Sequence, residues 1–332
     1  MKKINKTNRE YKKVVAGVLA NGVKKKTRSG EVISTFGQQI RFDLRDGFPL
    51  ISLKKVYIKG VVKELLWFIS GNTNIKTLYE NNVHIWDKDA YRYFLEKFPY
   101  EATHITEDNF YEMVGKQTIF PLYCYIYDNI KNKYEKKQTV YTAGDLGPVY
   151  GRQWRVWNNH IDQLYDVIQT LKTDPDNRRL IVSAWNVEYI PDMALPPCHV
   201  MYQFYTRKLS SEEREKYKCE RALSLMWTQR SVDVFLGLPF NIASYGLLLS
   251  MVAQCVGMLP EMLIGSLGDT HIYANHLDAV NELLLRNCDT YTEPTLRLNP
   301  EIRRIDDFKY EDIEICDYNS YGVIKAPLSV GL

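Results

Sequence analysis

The sequence predicts an α+β fold with a mixed or mostly antiparallel β-sheet, and three observations support this prediction. Strand-like runs are dense after Asp145, and two of them flank a charged segment, as antiparallel neighbours would. Segments with helical periodicity alternate with these runs. No G-x-G-x-x-G and no G-x-x-x-x-G-K-[ST] motif occurs, which excludes folds built on those phosphate-binding loops. The strands are predicted at residues 180–187, 200–206 and 222–231, and the helices at 161–170 and 240–258.

The first half of the chain carries a helix, a strand and a second helix. Alternation in the strand places Phe36, Ile40 and Phe42 on one face. The second helix is apolar and is closed by Gly71 and Asn72, because glycine and asparagine commonly follow the last helical turn. These elements are predicted at residues 8–20, 34–44 and 61–70. A basic run at 24–28 breaks the first helix, and its residues 24–26 are expected to be solvated.

We expect a single catalytic domain over residues 1–332 with two insertions. Residues 88–143 are rich in Tyr and Lys and have few strong core signals, and residues 207–221 are highly charged. Both are predicted to be surface elaborations with short helices. A separate domain at 88–143 is the alternative, because its length would allow one.

The composition is that of an ordinary soluble globular protein. Apolar residues make up 45% of the 332 residues, charged residues 25%, and the formal net charge is +3, so no dedicated nucleic-acid partner is expected. Six cysteines without C-x-x-C spacing favour a reducing compartment. No secretory signal is recognised, and no stretch approaches the roughly 20 apolar residues that span a membrane. A cytoplasmic protein is therefore expected.

One stretch, residues 193–241, holds residue types that suit attack on a pyrimidine ring. Cys198 follows two prolines in a stiff turn, Arg230 lies further along, and Asn241 opens a predicted helix. A free thiol with a pKa near about 8.5 needs a cationic neighbour to ionise at neutral pH. A carboxamide both donates and accepts, so Asn241 could read a base edge. The alternatives are a buried structural cysteine and a helix N-cap.

Several motifs, in order, resemble the thymidylate synthase and deoxynucleotide hydroxymethylase superfamily, most closely the thymidylate synthases. The resemblance implies methylation of dUMP to dTMP with 5,10-methylenetetrahydrofolate through a covalent cysteine adduct. It also implies a homodimer in which the mixed sheet forms the interface, helices pack around it, and the active sites are shared. The motifs are FGQQIRF (36–42), ELLWF (64–68), NVHIWD (82–87), GDLGPVYG (144–151), DNRR (176–179), LPPCH (195–199), QRSVD (229–233), LGLPFNIASY (236–245) and GDTHIY (268–273).

Catalytic roles follow from the resemblance residue by residue. Cys198 is the implied nucleophile with Arg230 beside it, and Glu64 manages protons at the base O4 through water. Asn241 pairs with uracil N3–H and O4, whereas the cytosine-specific relatives carry aspartate there, which favours dUMP over dCMP. The alternative for Glu64 is an ordinary exposed helix face. The implied catalytic set is Cys198, Glu64, Tyr150, His199, Arg230 and Asn241.

The implied nucleotide site combines residues from two subunits. Arginine suits a phosphate because its guanidinium donates in a fork. One subunit contributes Arg28, Arg230 and Ser231, and the other contributes Arg178 and Arg179. The Arg28 loop is shorter than is usual in the family. The remaining substrate residues are Gln229, Asp233 and Asn241 around the base, with His271 and Tyr273 at the sugar 3′-hydroxyl.

The implied folate site has aromatic and aliphatic walls, which suit a flat pterin. Asp233 could accept hydrogen bonds from the pterin, and its alternative is a solvated turn. Val330 matches the carboxy-terminal position that closes over the folate in the synthases, but this chain continues with Gly331 and Leu332. The implied folate-contacting positions are Ile85, Trp86, Asp233, Leu236, Gly237, Phe240 and Val330.

Two alternatives to the synthase remain open at the level of sequence. The longer tail and the unusual run Met226-Trp227-Thr228 would suit a dUMP 5-hydroxymethyltransferase, in which water reaches the exocyclic intermediate. The other alternative is a nucleic-acid-binding protein on an inactive enzyme scaffold. No metal site is proposed, and His84, His104, His160 and His276 have no convincing partner in the sequence.

Overall fold

The protein is described by a computed structural model that covers residues 4–128 and 133–327. The chain divides into two compact units. The first comprises Met1–Gly71, Tyr150–Asn186 and Pro197–Leu332, and the second comprises Asn72–Val149 and Val187–Pro196. The predicted insertion at 88–143 falls within the second unit, and the single catalytic domain stays a prediction.

Helices and strands alternate irregularly along the described chain. In chain order the elements are α1 (Lys6–Asn21), β1 (Val23–Thr27), β2 (Gly30–Asp43), α2 (Ile58–Ile69), α3 (Lys76–Glu80), α4 (Asp87–Lys97), α5 (Glu107–Lys116), β3 (Ile119–Asp128), β4 (Lys133–Thr142), α6 (Tyr150–Arg155), α7 (Gln163–Thr173), β5 (Ile181–Ser183), β6 (His199–Lys208), α8 (Ser211–Tyr217), β7 (Arg221–Asp233), α9 (Gly237–Val256), β8 (Leu259–Tyr273), α10 (Leu277–Leu285), β9 (Thr295–Leu298) and β10 (Ile313–Cys316).

A six-stranded mixed sheet organises the first unit, in the order β1-β2-β8-β7-β6-β5. Neighbouring strands are antiparallel except β7 and β8, which are parallel. The predicted α+β class with a mixed sheet is confirmed, and so is the antiparallel pairing of β6 with β7 across the charged segment. One register row runs Ile40, Gly265, Trp227, Tyr202 and Val182 across five strands, and all five face the buried side.

Helix α9 is the central core helix of the first unit. By length and composition it could cross a membrane, so it comes closer to a spanning segment than the sequence predicted. However, 72% of its apolar window is buried inside the protein, as in the core helix of a globular fold. Gly257 ends it with φ +67°, a left-handed conformation that glycine adopts without steric cost.

Two details of the first half differ from the sequence prediction. Phe36 was expected to share a buried face with Ile40 and Phe42, but its side chain is 87% exposed. Gly37 follows it with φ +80°, which interrupts the regular alternation of β2. The basic run is not only a solvated breaker, because it forms strand β1, where Lys25 Nζ donates to Asp269 Oδ2 over 2.6 Å.

The second unit has a core of its own, which corrects the expectation of few core signals in residues 88–143. Phe94 is fully buried and lies 5.1 Å from Phe110 and 5.3 Å from Phe98 between ring centroids. Tyr141, from β4, packs 5.3 Å from Phe98. Aromatic side chains bury large areas each, so this cluster supplies much of the unit's apolar interior.

The charged segment 207–221 contains α8, a short helix as predicted. Ser210 caps it, because its hydroxyl accepts from the Glu213 N–H while the Glu213 carboxylate accepts from the Ser210 N–H. Arg207 donates to Glu213 over 2.6 Å and also pairs with Glu261. These reciprocal bonds fix the helix against the end of β6.

Candidate active site

The backbone of Cys198 is held from both sides at the start of β6. Its N–H donates to the Tyr150 hydroxyl over 2.7 Å, and its C=O accepts from the Arg230 N–H over 2.8 Å. The residue as a whole is only partly buried. A fixed and partly exposed thiol is what a nucleophile needs, whereas an inert structural cysteine is usually buried.

Arg230 is anchored beside the cysteine through the preceding residue. Its Nε donates to the Pro197 carbonyl over 2.8 Å, and its guanidinium lies 5.3 Å above the Trp185 ring. As a whole the residue is exposed on β7. A cation in this position favours the thiolate over the thiol and also offers donors to an anionic ligand.

His199 sits in a buried aromatic cluster. The Tyr150 ring stacks on it with centroids 4.2 Å apart, and the Tyr245 hydroxyl lies 2.7 Å from its Nδ1. Burial lowers the pKa of His199 to about 3 and raises the pKa of Tyr150 well above its usual value. At neutral pH the imidazole and the phenol are therefore both uncharged, and the positive charge next to the Cys198 turn comes from Arg230, which is anchored on the Pro197 carbonyl.

The depressed pKa of His199 predicts acid sensitivity. Above pH 6.5, the pKa of His199 in the unfolded chain, the imidazole is neutral in both the folded and the unfolded state. Below pH 6.5 the unfolded chain binds a proton that the folded protein does not bind. The free energy of unfolding therefore decreases as the pH is lowered from 6.5 to about 3. From pH 7 to pH 5 the wild type should lose about 2 kcal/mol more free energy of unfolding than His199→Gln. Urea denaturation at fixed protein concentration measures this, and equal losses would contradict it.

Glu64 faces the same cluster and does not lie on an ordinary exposed face. It is half-buried on α2, and its charge contributes to the raised pKa of both Tyr150 and Tyr245. A carboxylate in an apolar helix is costly unless it works or is paired. Its electrostatic influence on two buried phenols suits a role in proton transfer in this region.

Asn241 lies inside α9 and is not its cap, because the helix begins at Gly237. The predicted helix start was therefore several residues late, and the N-cap alternative is wrong. Gln229 Nε2 donates to Asn241 Oδ1 over 3.0 Å. This bond holds the Asn241 amide of α9 against the end of β7, which is also the strand that carries Arg230.

A cavity of about 370 Å³ brings together most of the predicted phosphate and sugar residues. Arg28 and Ser29 form the two-residue turn between β1 and β2 and line this cavity. Burial raises the pKa of Tyr273, and the nearby charges of Asp233 and Cys198 add to this. The lining residues are Thr27, Arg28, Ser29, Val32, Arg230, Ser231, Asp269, His271 and Tyr273.

Arg178 and Arg179 are not among the residues that line this cavity within one chain. Both are exposed in the turn before β5, where Asn177 Oδ1 accepts from the Arg179 N–H over 2.8 Å. An exposed pair held on a tight turn can reach an anion on another molecule. That they serve the other subunit's site stays a prediction.

The predicted folate positions are divided between the two units. Asp233 Oδ1 accepts from the N–H groups of Phe235 and Leu236 over 2.9 and 3.1 Å, so this oxygen organises the turn into α9. Gly237 starts α9, and Phe240 is half-buried in its first turns. In the second unit Trp86 is buried and Ile85 half-buried, while Val330 lies outside the described residues.

The structure shows contacts of two residues, Lys54 and His276, that the sequence did not predict. Lys54 Nζ donates to the Phe235 carbonyl over 2.5 Å, and burial lowers the pKa of Lys54 to about 8 against the opposing charge of Asp233. His276, thought to lack a partner, is fully buried and its Nε2 is hydrogen-bonded to the Pro327 carbonyl over 2.7 Å. Only long-range packing creates these contacts, so no local signal could have revealed them.

Two further histidines have local polar partners. His84 Nδ1 lies 2.7 Å from Asp87 Oδ2, and His160 Nδ1 lies 2.7 Å from the Asn158 carbonyl, which corrects the expectation that they lack partners. Within residues 4–128 and 133–327, no three His, Cys, Asp or Glu side chains form a group that could hold a metal ion.

Comparison with known proteins agrees with this geometry. A family profile described as thymidylate synthase matches residues 9–330. The chain is similar to thymidylate synthase of Mycoplasma mobile, with 44% identity over 322 residues that cover 97% of this chain and 99% of the relative. It is also similar to thymidylate synthase of Listeria innocua serovar 6a, with 41% identity over 329 residues that cover 97% and 100% of the two chains. The chain belongs to the thymidylate synthase family.

Proposed function

We propose that the protein is a methyltransferase that converts dUMP to dTMP, with 5,10-methylenetetrahydrofolate as the second substrate. The observation that carries this proposal is the double role of Arg230. Its Nε donates to the carbonyl before Cys198, and its side chain lines the cavity with Arg28, His271 and Tyr273. One arginine therefore serves both the proposed nucleophile and the cavity proposed for the phosphate. This arrangement suits a pyrimidine nucleotide that binds with its ring over the thiol.

The thiolate of Cys198 adds to carbon 6 of the uracil ring. The new S–C6 bond pushes the ring electron pair onto O4, which makes carbon 5 nucleophilic as an enolate. The positive charge of Arg230 favours the thiolate before attack. His199 and Tyr150 line the site as neutral groups, so they add no charge of their own near the thiolate. The folate supplies the one-carbon unit and the hydride.

The amide of Asn241 reads the base and stabilises the charge that develops on O4. Its Nδ2 donates to O4, and the second lone pair of its Oδ1 accepts from N3–H. Glu64 exchanges protons with this region through water, since its charge acts on both Tyr150 and Tyr245. Donors that meet O4 in the enolate are worth more than those that meet the ground-state carbonyl.

The folate site is proposed at the turn into α9. Asp233 keeps its Oδ2 for the pterin while its Oδ1 holds the backbone, and its side chain is 21% exposed. Half-buried Leu236 and Phe240 supply apolar walls. Gly237 completes this wall, and Ile85, Trp86 and Val330 are carried from the resemblance alone.

We further propose a cytoplasmic homodimer in which the outer face of the mixed sheet forms the interface. A register row on that face runs Arg41, Ile264, Met226, Gln203 and Ile181, and each is exposed or half-exposed in the single chain. Three apolar residues in one such row suit burial against a second copy. In the dimer Arg178 and Arg179 would complete the partner's phosphate site.

Product analysis tests the proposed activity. Incubation with dUMP and methylenetetrahydrofolate should yield dTMP and an equal amount of dihydrofolate, because the methyl group takes a hydride from the folate. A dUMP hydroxymethyltransferase would instead yield 5-hydroxymethyl-dUMP and tetrahydrofolate. The family relatives favour the first outcome. Salt-sensitive nucleic-acid binding without turnover would overturn both.

Asn241→Asp should weaken discrimination against cytosine. A protonated carboxyl matches the N4 donor and N3 acceptor of cytosine, and an unmatched buried group costs roughly ten- to a hundredfold. The ratio of kcat/KM for dUMP over dCMP should therefore fall by that factor. Asn21→Asp, an exposed amide at the end of α1, is the control and should leave the ratio unchanged. An unchanged ratio in Asn241→Asp would mean that another group reads the base.

A further inference from the structure

We infer that Trp227 is a positioning residue for base recognition, because its indole N–H fixes which way the amides of Gln229 and Asn241 face. The inference rests on the proposed function, in which Asn241 reads the pyrimidine edge. It assigns a role to a residue that does not itself touch substrate. It also gives the unusual Met226-Trp227-Thr228 run a purpose in specificity.

Two hydrogen bonds link the indole to the base-reading amide, and a third holds the Gln229 side chain between them. Trp227 Nε1 donates to Gln229 Oε1 over 3.1 Å. Gln229 Nε2 donates to the Ser231 carbonyl and to Asn241 Oδ1, each over 3.0 Å. Trp227 is fully buried and Gln229 is 3% exposed, so water cannot easily replace these partners.

The chemistry of the two fixed partners permits only one orientation of Gln229. An indole N–H can only donate, and a backbone carbonyl can only accept. Gln229 must therefore turn its oxygen to Trp227 and its NH₂ to Ser231 and Asn241. Asn241 in turn presents oxygen to Gln229, which leaves its own Nδ2 as a donor for the ligand. A donor from Nδ2 and an acceptor from Oδ1 match O4 and N3–H of uracil.

The indole itself has no room to turn. It stacks on Tyr245 with ring centroids 5.4 Å apart and planes 8° from parallel. On the neighbouring strand, a Cβ on Gly265 would lie only 2.5 Å from Trp227 Cζ2, so the ring fills the space that this glycine leaves. A side chain clamped between a ring and a backbone holds its N–H in one direction.

Loss of this N–H would allow the amide chain to reverse. A reversed Gln229 offers oxygen to Asn241, which then turns its NH₂ towards Gln229 and its oxygen towards the ligand. That arrangement accepts from cytosine N4 and donates to cytosine N3. The Ser231 carbonyl still opposes the reversal, so the loss of discrimination should be partial.

Trp227→Phe keeps a ring but removes the N–H. The ratio of kcat/KM for dUMP over dCMP, and the ratio of the two Kd values, should each fall about five- to tenfold, the worth of one buried hydrogen bond. Trp154→Phe is the matched control, because Trp154 is also buried in the first unit and packs on Tyr202. It should lower Tm without moving either ratio. An unchanged ratio in Trp227→Phe would overturn the inference.

A second variant keeps the inference testable if Trp227→Phe does not fold. Benzothienylalanine, introduced at position 227 by codon suppression, has the shape of tryptophan with sulfur in place of the N–H. The same fall in both ratios is expected, and wild-type ratios would overturn the positioning role. Failure of the proposed function is separate, because it would show as no dUMP turnover by the wild type.

Discussion

Cys198→Ser will abolish turnover of dUMP while leaving its binding nearly intact. A serine hydroxyl does not ionise beside Arg230 at neutral pH, so addition to carbon 6 is lost, and kcat should fall by at least about 10³-fold. The cavity lined by Arg28, Arg230 and His271 does not need the thiol, so Kd for dUMP should change only a few-fold. Steady-state kinetics and equilibrium dialysis measure the two quantities.

Cys219→Ser is the matched control for this loss. Cys219 is half-buried just after α8, and burial raises the pKa of its thiol, so it is not a candidate nucleophile. Its serine variant should keep wild-type turnover. If Cys198→Ser retained activity within about tenfold of wild type, the assignment of the nucleophile would be wrong.

Mixing Arg178→Ala subunits with Cys198→Ser subunits should restore activity that neither variant has alone. If each site takes its cysteine from one subunit and Arg178 from the other, the heterodimer has one site with neither defect and one site with both. Random exchange at equal concentrations makes half the dimers mixed, so about a quarter of wild-type activity should return. The measurement is dTMP formation after subunit exchange under mild denaturant.

The control for this experiment is Arg152→Ala mixed with Cys198→Ser. Arg152 lies on α6, where its guanidinium donates to Asn159 over 3.0 Å, and it was not placed in any site. Its variant should be active before mixing, so exchange should only dilute its activity. Absence of complementation by Arg178→Ala, with exchange proven by mass spectrometry of tagged subunits, would count against shared sites.

The sequence predicted the parts of the fold that depend on local periodicity. Helices α1, α2, α7 and α9 and strands β6 and β7 lie where the pattern placed them, with ends shifted by a few residues. The start of α9 was misjudged because Pro239 lies inside its first turn, a position that proline tolerates, and the pattern does not distinguish that from a break. The aromatic core around Phe94 was missed because its members come from separate elements.

The candidate site was predicted as a set of residues but not as a network. The resemblance of the motifs placed Cys198, Arg230 and His271 in the site, because those motifs contain the residue types that the reaction needs. It could not predict that Trp227 would donate to Gln229 or that Lys54 would donate to Phe235, since these bonds join side chains through tertiary packing. Partners across a sheet or a turn depend on register, which local sequence does not determine.

Covalent trapping tests the central claim most directly. In 5-fluoro-dUMP a fluorine replaces the carbon 5 proton that must leave, so the thioether to carbon 6 should persist after methylenetetrahydrofolate is added. Mass spectrometry of the digested protein should find the nucleotide and folate together on the peptide that contains Cys198, and Cys198→Ser should show no adduct. An adduct on another cysteine, or none while the wild type still forms dTMP, would contradict the account.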